Sequence, residues 1–259
     1  FLDQNGFGDT LDAIDAIQYA KNMRHLWETT GHAKGANVRV LNASFGGGAF
    51  SQNFLDAVNQ ANAEGILFVA AAGNIDNGTT EPNNDLVPHY PSSFDASNII
   101  AVAATTQTDA LTSFSHFGAT SVDVAAPGNS ILSTTPANTY SFFSGTSMSS
   151  PQVAGAAALI WAQNPNLTVQ QIKNILLTNG DIVTGLIDKT LTGRRLNIGN
   201  SMQAVLSADT TPPGTVGGFH INSQNGRTLN IGWTASGDDG ATGNASLYRI
   251  DFTDGGSGQ

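Results

Sequence analysis

The feature that most constrains the fold is an uninterrupted run of small and apolar residues over 153–160. A helix built from such a run has no polar face, so it must be packed on all sides. Ahead of the run, Gly145 predicts a tight bend, and Thr146 and Ser147 are candidate helix caps. Pro151 is expected in the first helical turn, where its missing N–H does no harm. The stretch therefore predicts a central buried helix.

The hydroxyl of Ser147 is predicted to lie at the mouth of that helix. Free backbone N–H groups and the positive end of the helix dipole point towards such a position. A nucleophile whose product is an oxyanion would be stabilised there. Capping of an inert helix explains the same residues, so local chemistry alone leaves a catalytic serine and a simple helix start both open.

Residues 145–155 read Gly-Thr-Ser-Met-Ser-Ser-Pro-Gln-Val-Ala-Gly. This run resembles the serine motif of the subtilisin-like serine proteases (subtilases, the peptidase S8 family), which usually reads Gly-Thr-Ser-Met-Ala-Ser-Pro-His-Val-Ala-Gly. Ser149 and Gln152 depart from that pattern, and the family's catalytic serine falls on Ser147. The resemblance implies a serine endopeptidase that forms an acyl-enzyme on Ser147 and requires no cofactor for its chemistry.

Two continuous apolar segments, 38–44 and 66–72, predict buried strands. An amphipathic helix over 51–64 separates them, which indicates a right-handed parallel crossover unit and an α/β fold. Each strand ends in a glycine-rich turn, at 46–48 and at 73–74. Because ligands gather at the carboxyl ends of strands in open α/β sheets, both turns are expected on the functional edge.

The same two segments carry further family resemblance. The sequence Ala-Ala-Ala-Gly-Asn at 70–74 resembles the subtilase segment with the oxyanion-hole asparagine, which implies that role for Asn74. Taken alone, Asn74 also fits a turn asparagine, and the glycines at 46–48 also fit an ordinary loop. The resemblance further implies a specificity pocket with small or apolar walls and no buried charge. Its substrate-binding residues would be Ser44, Phe45, Gly46, Ala71, Ala72 and Gly73.

Subtilases place a catalytic Asp in an Asp-Thr/Ser-Gly context and a catalytic His in a His-Gly-Thr context, and neither motif occurs in this sequence. We expect each histidine to occupy a loop or surface position; they are His25, His32, His89, His116 and His220. An unassisted serine is a poor nucleophile near neutral pH. We therefore expect that Phe1 is a cut end, that the sheet lacks its N-terminal strands, and that this chain alone shows no protease activity.

The composition changes at 209–215, which read Asp-Thr-Thr-Pro-Pro-Gly-Thr, and this segment predicts an extended linker. Beyond it, residues 229–233 and 246–252 alternate in polarity, as in an antiparallel pair. This part resembles the opening strands of a fibronectin type III domain, with about half of the ~100 residues of such a sandwich. The predicted domains are 1–208, a subtilisin-like catalytic domain lacking its N-terminal part, and 209–259, a linker with a truncated all-β sandwich.

A net charge of -10 disfavours nucleic acid and anionic membranes as partners. A peptide or protein substrate is what the family resemblance implies. The absence of cysteine excludes disulfides and thiolate sites. Asp109 and Asp123 are weak candidates for a structural calcium site, against the simpler interpretation of solvated loop carboxylates. Extracellular location rests on the family resemblance alone.

The alternative from another class is a non-catalytic peptide-binding or adhesion protein built on a degenerate protease domain. Such a protein would bind an extended peptide through residues 46–48. Sequence upstream of Phe1 discriminates the two, because an enzyme would carry the missing Asp and His motifs there. An α/β-hydrolase is disfavoured, since residues 145–149 do not match the Gly-x-Ser-x-Gly motif of the nucleophile elbow in that class.

Overall fold

A computed structural model describes residues 8–75, 81–206, 217–225 and 228–234. The chain divides into two compact units, Phe1–Leu206 and Ser207–Gln259. All the predicted site residues lie in the first unit. The predicted strand over 246–252 lies outside the described residues.

The first unit alternates strands and helices. Its helices are α1 (Thr10–Thr29), α2 (Gln52–Ala63), α3 (Thr146–Gln163), α4 (Val169–Thr178) and α5 (Ile198–Leu206). Its strands are β1 (Val40–Ala43), β2 (Leu67–Ala71), β3 (Ile99–Thr105), β4 (Val124–Pro127), β5 (Ile131–Thr135), β6 (Thr139–Phe143), β7 (Asp181–Ile182) and β8 (Arg194–Arg195). A 3-10 turn spans Thr184–Leu186.

The central sheet has the order β1-β2-β3-β4-β8-β7, in which only the β7–β8 pair is antiparallel. One apolar cluster joins this sheet to α3 and α4, and a second joins it to α1 and α2. Helices therefore cover both faces, which explains why β2 and β3 are buried along their whole length. The predicted parallel α/β fold is what the structure shows.

Helix α3 is the central element, but the expectation that it is packed on all sides was wrong. Its inner face, which includes Val153 and Ile160, is fully buried. Pro151, Gly155 and Leu159 are exposed, and they recur at four-residue spacing along one face. The helix thus leaves an apolar stripe uncovered. Composition could not reveal this stripe, because its residues are as apolar as those of the core.

Strand β1 lies at the edge of the sheet and is only partly buried, although the sequence predicted a buried strand over 38–44. Its one neighbour in the sheet is β2, which pairs with it in parallel register. In the described part of the chain, its other side is open. The continuous apolar run correctly predicted a strand. The burial of β1, however, depends on which other elements pack beside it, and the run does not specify them.

In the second unit, β9 (Gly217–Asn225) and β10 (Thr228–Thr234) form an antiparallel pair. The sequence predicted the strand at 229–233 but paired it with residues 246–252. The pairing that the structure describes is with the preceding segment, as expected for a short hairpin connection. The likeness to a fibronectin type III domain stays a prediction.

Asp85 ties the long loop after β2 to the turn before β4. Its carboxylate accepts hydrogen bonds from the backbone N–H and the hydroxyl of both Thr120 and Ser121, at 2.7–3.2 Å. A Cβ on Gly118 would lie 2.7 Å from Asp85 Oδ1, so glycine is needed there for the close approach. Burial by itself would raise the pKa of Asp85, but the hydrogen bonds from Ser121 and Thr120 outweigh it and hold that pKa below its ordinary value.

We predict that Asp85→Asn lowers the stability of the first unit by about 1 kcal/mol, because a charged acceptor of several hydrogen bonds is lost. The stabilisation by Asp85 is present above its ordinary pKa of 3.8 and disappears as the pH falls from there through the lower folded-state pKa. The melting-temperature difference between the two proteins should accordingly shrink below about pH 4. Asp95→Asn, an equal charge change at an exposed residue, is the control. A melting-temperature difference between the two proteins that stays constant with pH would contradict the conclusion that the ionised Asp85 carboxylate stabilises the fold.

Candidate functional site

The N-terminus of α3 is capped by a side chain from another part of the chain. Gly145 is the N-cap residue, with φ 156° and no side-chain cap of its own. Thr146 N instead donates to Asn74 Oδ1 at 2.9 Å, and Thr146 Oγ1 donates to the same oxygen at 3.2 Å. Gly73 N in turn donates to Thr146 Oγ1 at 3.2 Å. Thr146 and Ser147 were predicted as caps, and that was wrong because Asn74 takes this function.

This capping bond fixes the orientation of the Asn74 amide. Oδ1 faces the Thr146 N–H, so Nδ2 is directed away from it. A Cβ on Gly145 would lie 3.5 Å from Asn74 Nδ2 and 3.7 Å from Ser147 N. Asn74 Nδ2 and Ser147 N therefore lie near one point beside Gly145, with Asn74 Oδ1 also 3.7 Å from it. The Ser147 N–H is one of the first helical N–H groups, which have no intrahelical acceptor.

The hydroxyl of Ser147 lies beside these donors and is partly exposed. Its Oγ donates to Ser44 O at 3.1 Å. Ser44 Oγ donates in return to Ser147 O at 2.7 Å and lies 3.0 Å from Ser150 Oγ. The end of β1 and the start of α3 are thus joined by a reciprocal pair of hydrogen bonds between two serines.

Pro151 explains why Ser147 O needs an outside donor. The helix begins at Thr146, so Pro151 is its sixth residue and lies beyond the first turn, contrary to prediction. In a regular helix the N–H of residue 151 would donate to the carbonyl of residue 147. Proline has no N–H, and the hydroxyl of Ser44 supplies the missing bond.

The two departures from the family motif both bind the end of β4. Gln152 Nε2 donates to Pro127 O at 2.7 Å and to Met148 O at 3.1 Å. Ser149 is fully buried, and its Oγ donates to Ala126 O at 3.0 Å. Both residues therefore have hydrogen-bond partners in the structure.

The predicted substrate-binding residues lie at the ends of β1 and β2, on the same edge as Ser147. Gly46 is exposed, whereas Phe45 packs partly buried against the cluster of α1 and α2. Ala71 and Ala72 are buried, and Ala72 O accepts from Asn84 Nδ2 at 2.8 Å. Gly73 O accepts from His116 N at 2.9 Å. Ala71 and Ala72 thus support the cleft from below and do not form its surface.

The histidines occupy loop or surface positions where the structure describes their side chains. His116 lies in a loop, as predicted, but it is only 4% exposed, and its Nδ1 lies 3.0 Å from Asn84 Oδ1. The ring of His89 contacts that of His116 edge-on, with centroids 5.3 Å apart. His25 and His32 are exposed, and His220 lies in β9, where side chains are not described. The Ser147 hydroxyl is directed at a carbonyl, Ser44 O, and not at a histidine.

The carboxylates suggested for calcium have cationic partners instead. Asp109 Oδ1 lies 2.8 Å from Arg195 Nε, and Asp123 Oδ1 lies 3.2 Å from Lys173 Nζ. Burial raises the pKa of Asp123, although Lys173 opposes the shift. In the described part of the chain, no cluster of three or more acidic or histidine side chains is arranged to hold a metal. Asp109 and Asp123 therefore do not fit a calcium site.

Sequence reasoning missed the residues that support the cleft from below. Asn84, Ser92 and His89 all lie in a polar loop between β2 and β3, where no hydrophobic period or motif marks them. The proline-rich composition of that loop gives no sign of the hydrogen bonds to Ala72 O that Asn84 and Ser92 donate. Their placement depends on the folding of the loop against the strand ends.

We predict that Ser44→Ala costs about 1–3 kcal/mol of stability, because it leaves Ser147 O without a donor. Pro151→Ala restores a backbone N–H at the position that would bond to this carbonyl. The cost of Ser44→Ala should therefore be smaller in a Pro151→Ala background. Thermal unfolding of the four proteins measures this coupling. Additive effects would show that Ser44 does not replace the bond that Pro151 removes.

Comparisons with known proteins show the family and the fold of this chain. A model of the subtilase family (peptidase S8) matches residues 2–213. The thermophilic serine proteinase of Bacillus sp. strain AK1 is 39% identical over 184 residues, 71% of this chain and 39% of that protein. Thermitase of Thermoactinomyces vulgaris is 39% identical over 184 residues, 71% of this chain and 57% of that protein. Subtilisin DY of Bacillus licheniformis is 45% identical over 137 residues, 53% of this chain and 47% of that protein.

Among solved structures, a cold-adapted subtilisin-like serine proteinase matches with a TM-score of 0.63 and 29% identity. The match covers 75% of this chain and 63% of that one. The chain spans between 39% and 57% of the length of the three curated relatives. Across the described residues, none of the helices is both long and apolar enough for a membrane span.

Proposed function

Because the chain belongs to the subtilase family, we propose that Ser147 is the nucleophile of a serine endopeptidase. Ser147 Oγ gives its proton to a general base and attacks the carbonyl carbon of a peptide bond. The tetrahedral intermediate collapses as the C–N bond breaks and the amine leaves with that proton, which gives an acyl-enzyme; water then hydrolyses the ester, releases the carboxylic acid and restores the serine hydroxyl. The observation that supports this most strongly is that Asn74 Nδ2 and Ser147 N lie 3.5 Å and 3.7 Å from one point beside Gly145, next to the residue that bears the hydroxyl.

In this proposal the two donors form the oxyanion hole. The attacked carbonyl oxygen becomes negatively charged, and fixed N–H groups stabilise that charge more in the transition state than in the ground state. Asn74 is well suited to this, because its Oδ1 is held by Thr146 N and its amide is therefore oriented before substrate arrives. The N-terminal end of α3 adds a favourable dipole.

The substrate is proposed to be an extended peptide that lies over the carboxyl ends of β1 and β2. Gly46 and Gly48 are exposed and have no side chains, so a peptide backbone approaches them closely and pairs by strand addition. Gly47 contributes less, since its N–H already donates to Tyr90 O at 2.9 Å. The acidic net charge makes nucleic acid and anionic membranes poor partners.

The general base is proposed to come from sequence outside these 259 residues. Neither family motif for the catalytic Asp and His occurs in the chain, and the Ser147 hydroxyl donates to a backbone carbonyl. The open edge of β1 and the uncovered apolar stripe of α3 support this, since both are surfaces that further chain would cover. Secretion of the protein and the fibronectin-like nature of 209–259 are proposed on family resemblance and sequence pattern.

We predict that the purified 259-residue chain has no measurable hydrolysis of casein above that of its Ser147→Ala variant. Losing the base of a serine protease costs about 10⁶ in turnover in subtilisin, a member of this family. Casein cleavage by the chain that Ser147→Ala abolishes would overturn the proposed source of the base. In the protein from the complete reading frame, Ser147→Ala should abolish hydrolysis. A complete protein that binds peptides but never cleaves them would favour a non-catalytic binding function.

A second prediction concerns Asn74 in the active, complete protein. Asn74→Asp keeps an oxygen to accept from Thr146 N but removes the amide donor. We expect kcat to fall by about 10²–10³, the cost of removing one such donor in subtilisin. The melting temperature should change much less than in Asn74→Ala, which also loses the helix cap. Wild-type kcat in Asn74→Asp would exclude Asn74 from the oxyanion hole.

A further inference from the structure

An exposed amide side chain on β1 reaches the hydroxyl that holds the backbone of Ser147. Asn42 lies in β1 and Ser44 directly follows the end of that strand. Because residues two apart in an extended chain project to the same side, their side chains are neighbours. Asn42 Nδ2 donates to Ser44 Oγ at 2.9 Å. Asn42 is not among the residues that the family resemblance implied for the site.

The Ser44 hydroxyl has one hydrogen to donate and two lone pairs that accept. Its hydrogen is donated to Ser147 O, 2.7 Å away. It must therefore be the acceptor in its two other contacts, with Asn42 Nδ2 and with Ser150 Oγ at 3.0 Å. Ser150, which is fully buried, is consequently the donor between the two hydroxyls. All three hydrogen-bonding positions of the Ser44 hydroxyl are thus filled.

Asn42 acts on this hydroxyl in two ways. Its N–H anchors Ser44 Oγ, which keeps the side chain in the rotamer that reaches Ser147 O. A hydrogen bond accepted by a hydroxyl also polarises it, which strengthens the bond that the hydroxyl donates. Both effects hold the backbone of Ser147 against the end of β1.

This backbone contact is needed most when the nucleophile reacts. Ser147 Oγ donates to Ser44 O in the structure, and it must leave that carbonyl in order to give its proton to a base. Of the two hydrogen bonds between Ser44 and Ser147, the one to Ser147 O is then left. Pro151 has no N–H with which to replace it.

We propose that Asn42 is a positioning residue of the reaction and acts on the nucleophile through the hydroxyl of Ser44. The inference rests on the proposed function, since it assumes that Ser147 Oγ attacks a peptide carbonyl. An attacking atom must be held within a narrow range of distance and angle, and a small displacement lowers the rate of the chemical step. Loss of the Asn42 amide therefore slows the attack and leaves substrate affinity unchanged.

The test uses the protein from the complete reading frame, with kcat and KM measured on fluorescein-labelled casein. Asn42→Ala should lower kcat about fivefold, the size expected for one uncharged hydrogen bond, with KM unchanged. In a Ser44→Ala background the same change should leave kcat as it is, because the hydroxyl through which Asn42 acts is gone. Asn22→Ala, at an exposed asparagine on α1, is the matched control and should retain the kcat of the unaltered protein.

Thermal unfolding of the 259-residue chain tests the hydrogen-bond network without catalysis. Asn42→Ala and Ser44→Ala together should destabilise the chain by less than the sum of their separate effects, and additive effects would show that the two residues do not act as one network.

Three kinetic results would remove Asn42 from the reaction. They are an unchanged kcat in Asn42→Ala, a raised KM with unchanged kcat, and an equal loss of kcat in the Ser44→Ala background. If the complete protein cleaves casein no faster than its Ser147→Ala variant, the proposed function itself fails, and the role of Asn42 fails with it.

Discussion

The hydrogen bond from Thr146 N to Asn74 Oδ1 is the interaction on which the rest of the site depends. It joins the start of α3 to the end of β2 and leaves the helix without any need for a cap of its own. The same bond turns the amide nitrogen of Asn74 towards the space beside Gly145. One contact therefore satisfies a helix terminus and fixes the amide that the proposed mechanism uses as a donor.

The hydrogen bonds between Ser44 and Ser147 likewise hold the proposed nucleophile in place. Pro151 deprives Ser147 O of its regular helical partner, and Ser44 supplies one from the neighbouring strand. Because Ser147 Oγ donates back to Ser44 O, the residue is held at both its backbone and its side chain. A serine held in this way has little freedom to rotate. Its conformational entropy is therefore lost when the protein folds, and not during each cycle of the proposed reaction.

The sequence was a good guide where the signal is local. The apolar strand at 66–72, the parallel crossover and the common edge of 46–48 and 73–74 followed from hydrophobic pattern and chain order. That Asn74 lies beside the start of α3 was implied by the family resemblance. Subtilase membership followed from the run at 145–155, and the family comparison confirmed it. The helix predicted over 51–64 is also present as α2, and the Ser51 side chain caps it by accepting from Phe54 N.

What the sequence did not predict depends on contacts between distant segments. The cap of α3 comes from Asn74, 72 residues earlier in the chain, and periodicity carries no sign of such a bond. His89 lies in a polar loop in which no sequence pattern marks it, and its position is set by contacts with Gly46 and Gly73. Burial of His116, and exposure of the stripe on α3, likewise depend on which neighbours are present. These are the features that give the site its shape.

The central claim is that a carbonyl oxygen attacked by Ser147 lies between the Asn74 amide and the Ser147 N–H. The most direct measurement is a crystal structure of the complete protein after reaction with a peptide phosphonate. The account predicts phosphorus bonded to Ser147 Oγ, with one phosphonyl oxygen within about 3.1 Å of both Asn74 Nδ2 and Ser147 N. A phosphonyl oxygen pointing to solvent, or an adduct on another residue, would contradict it.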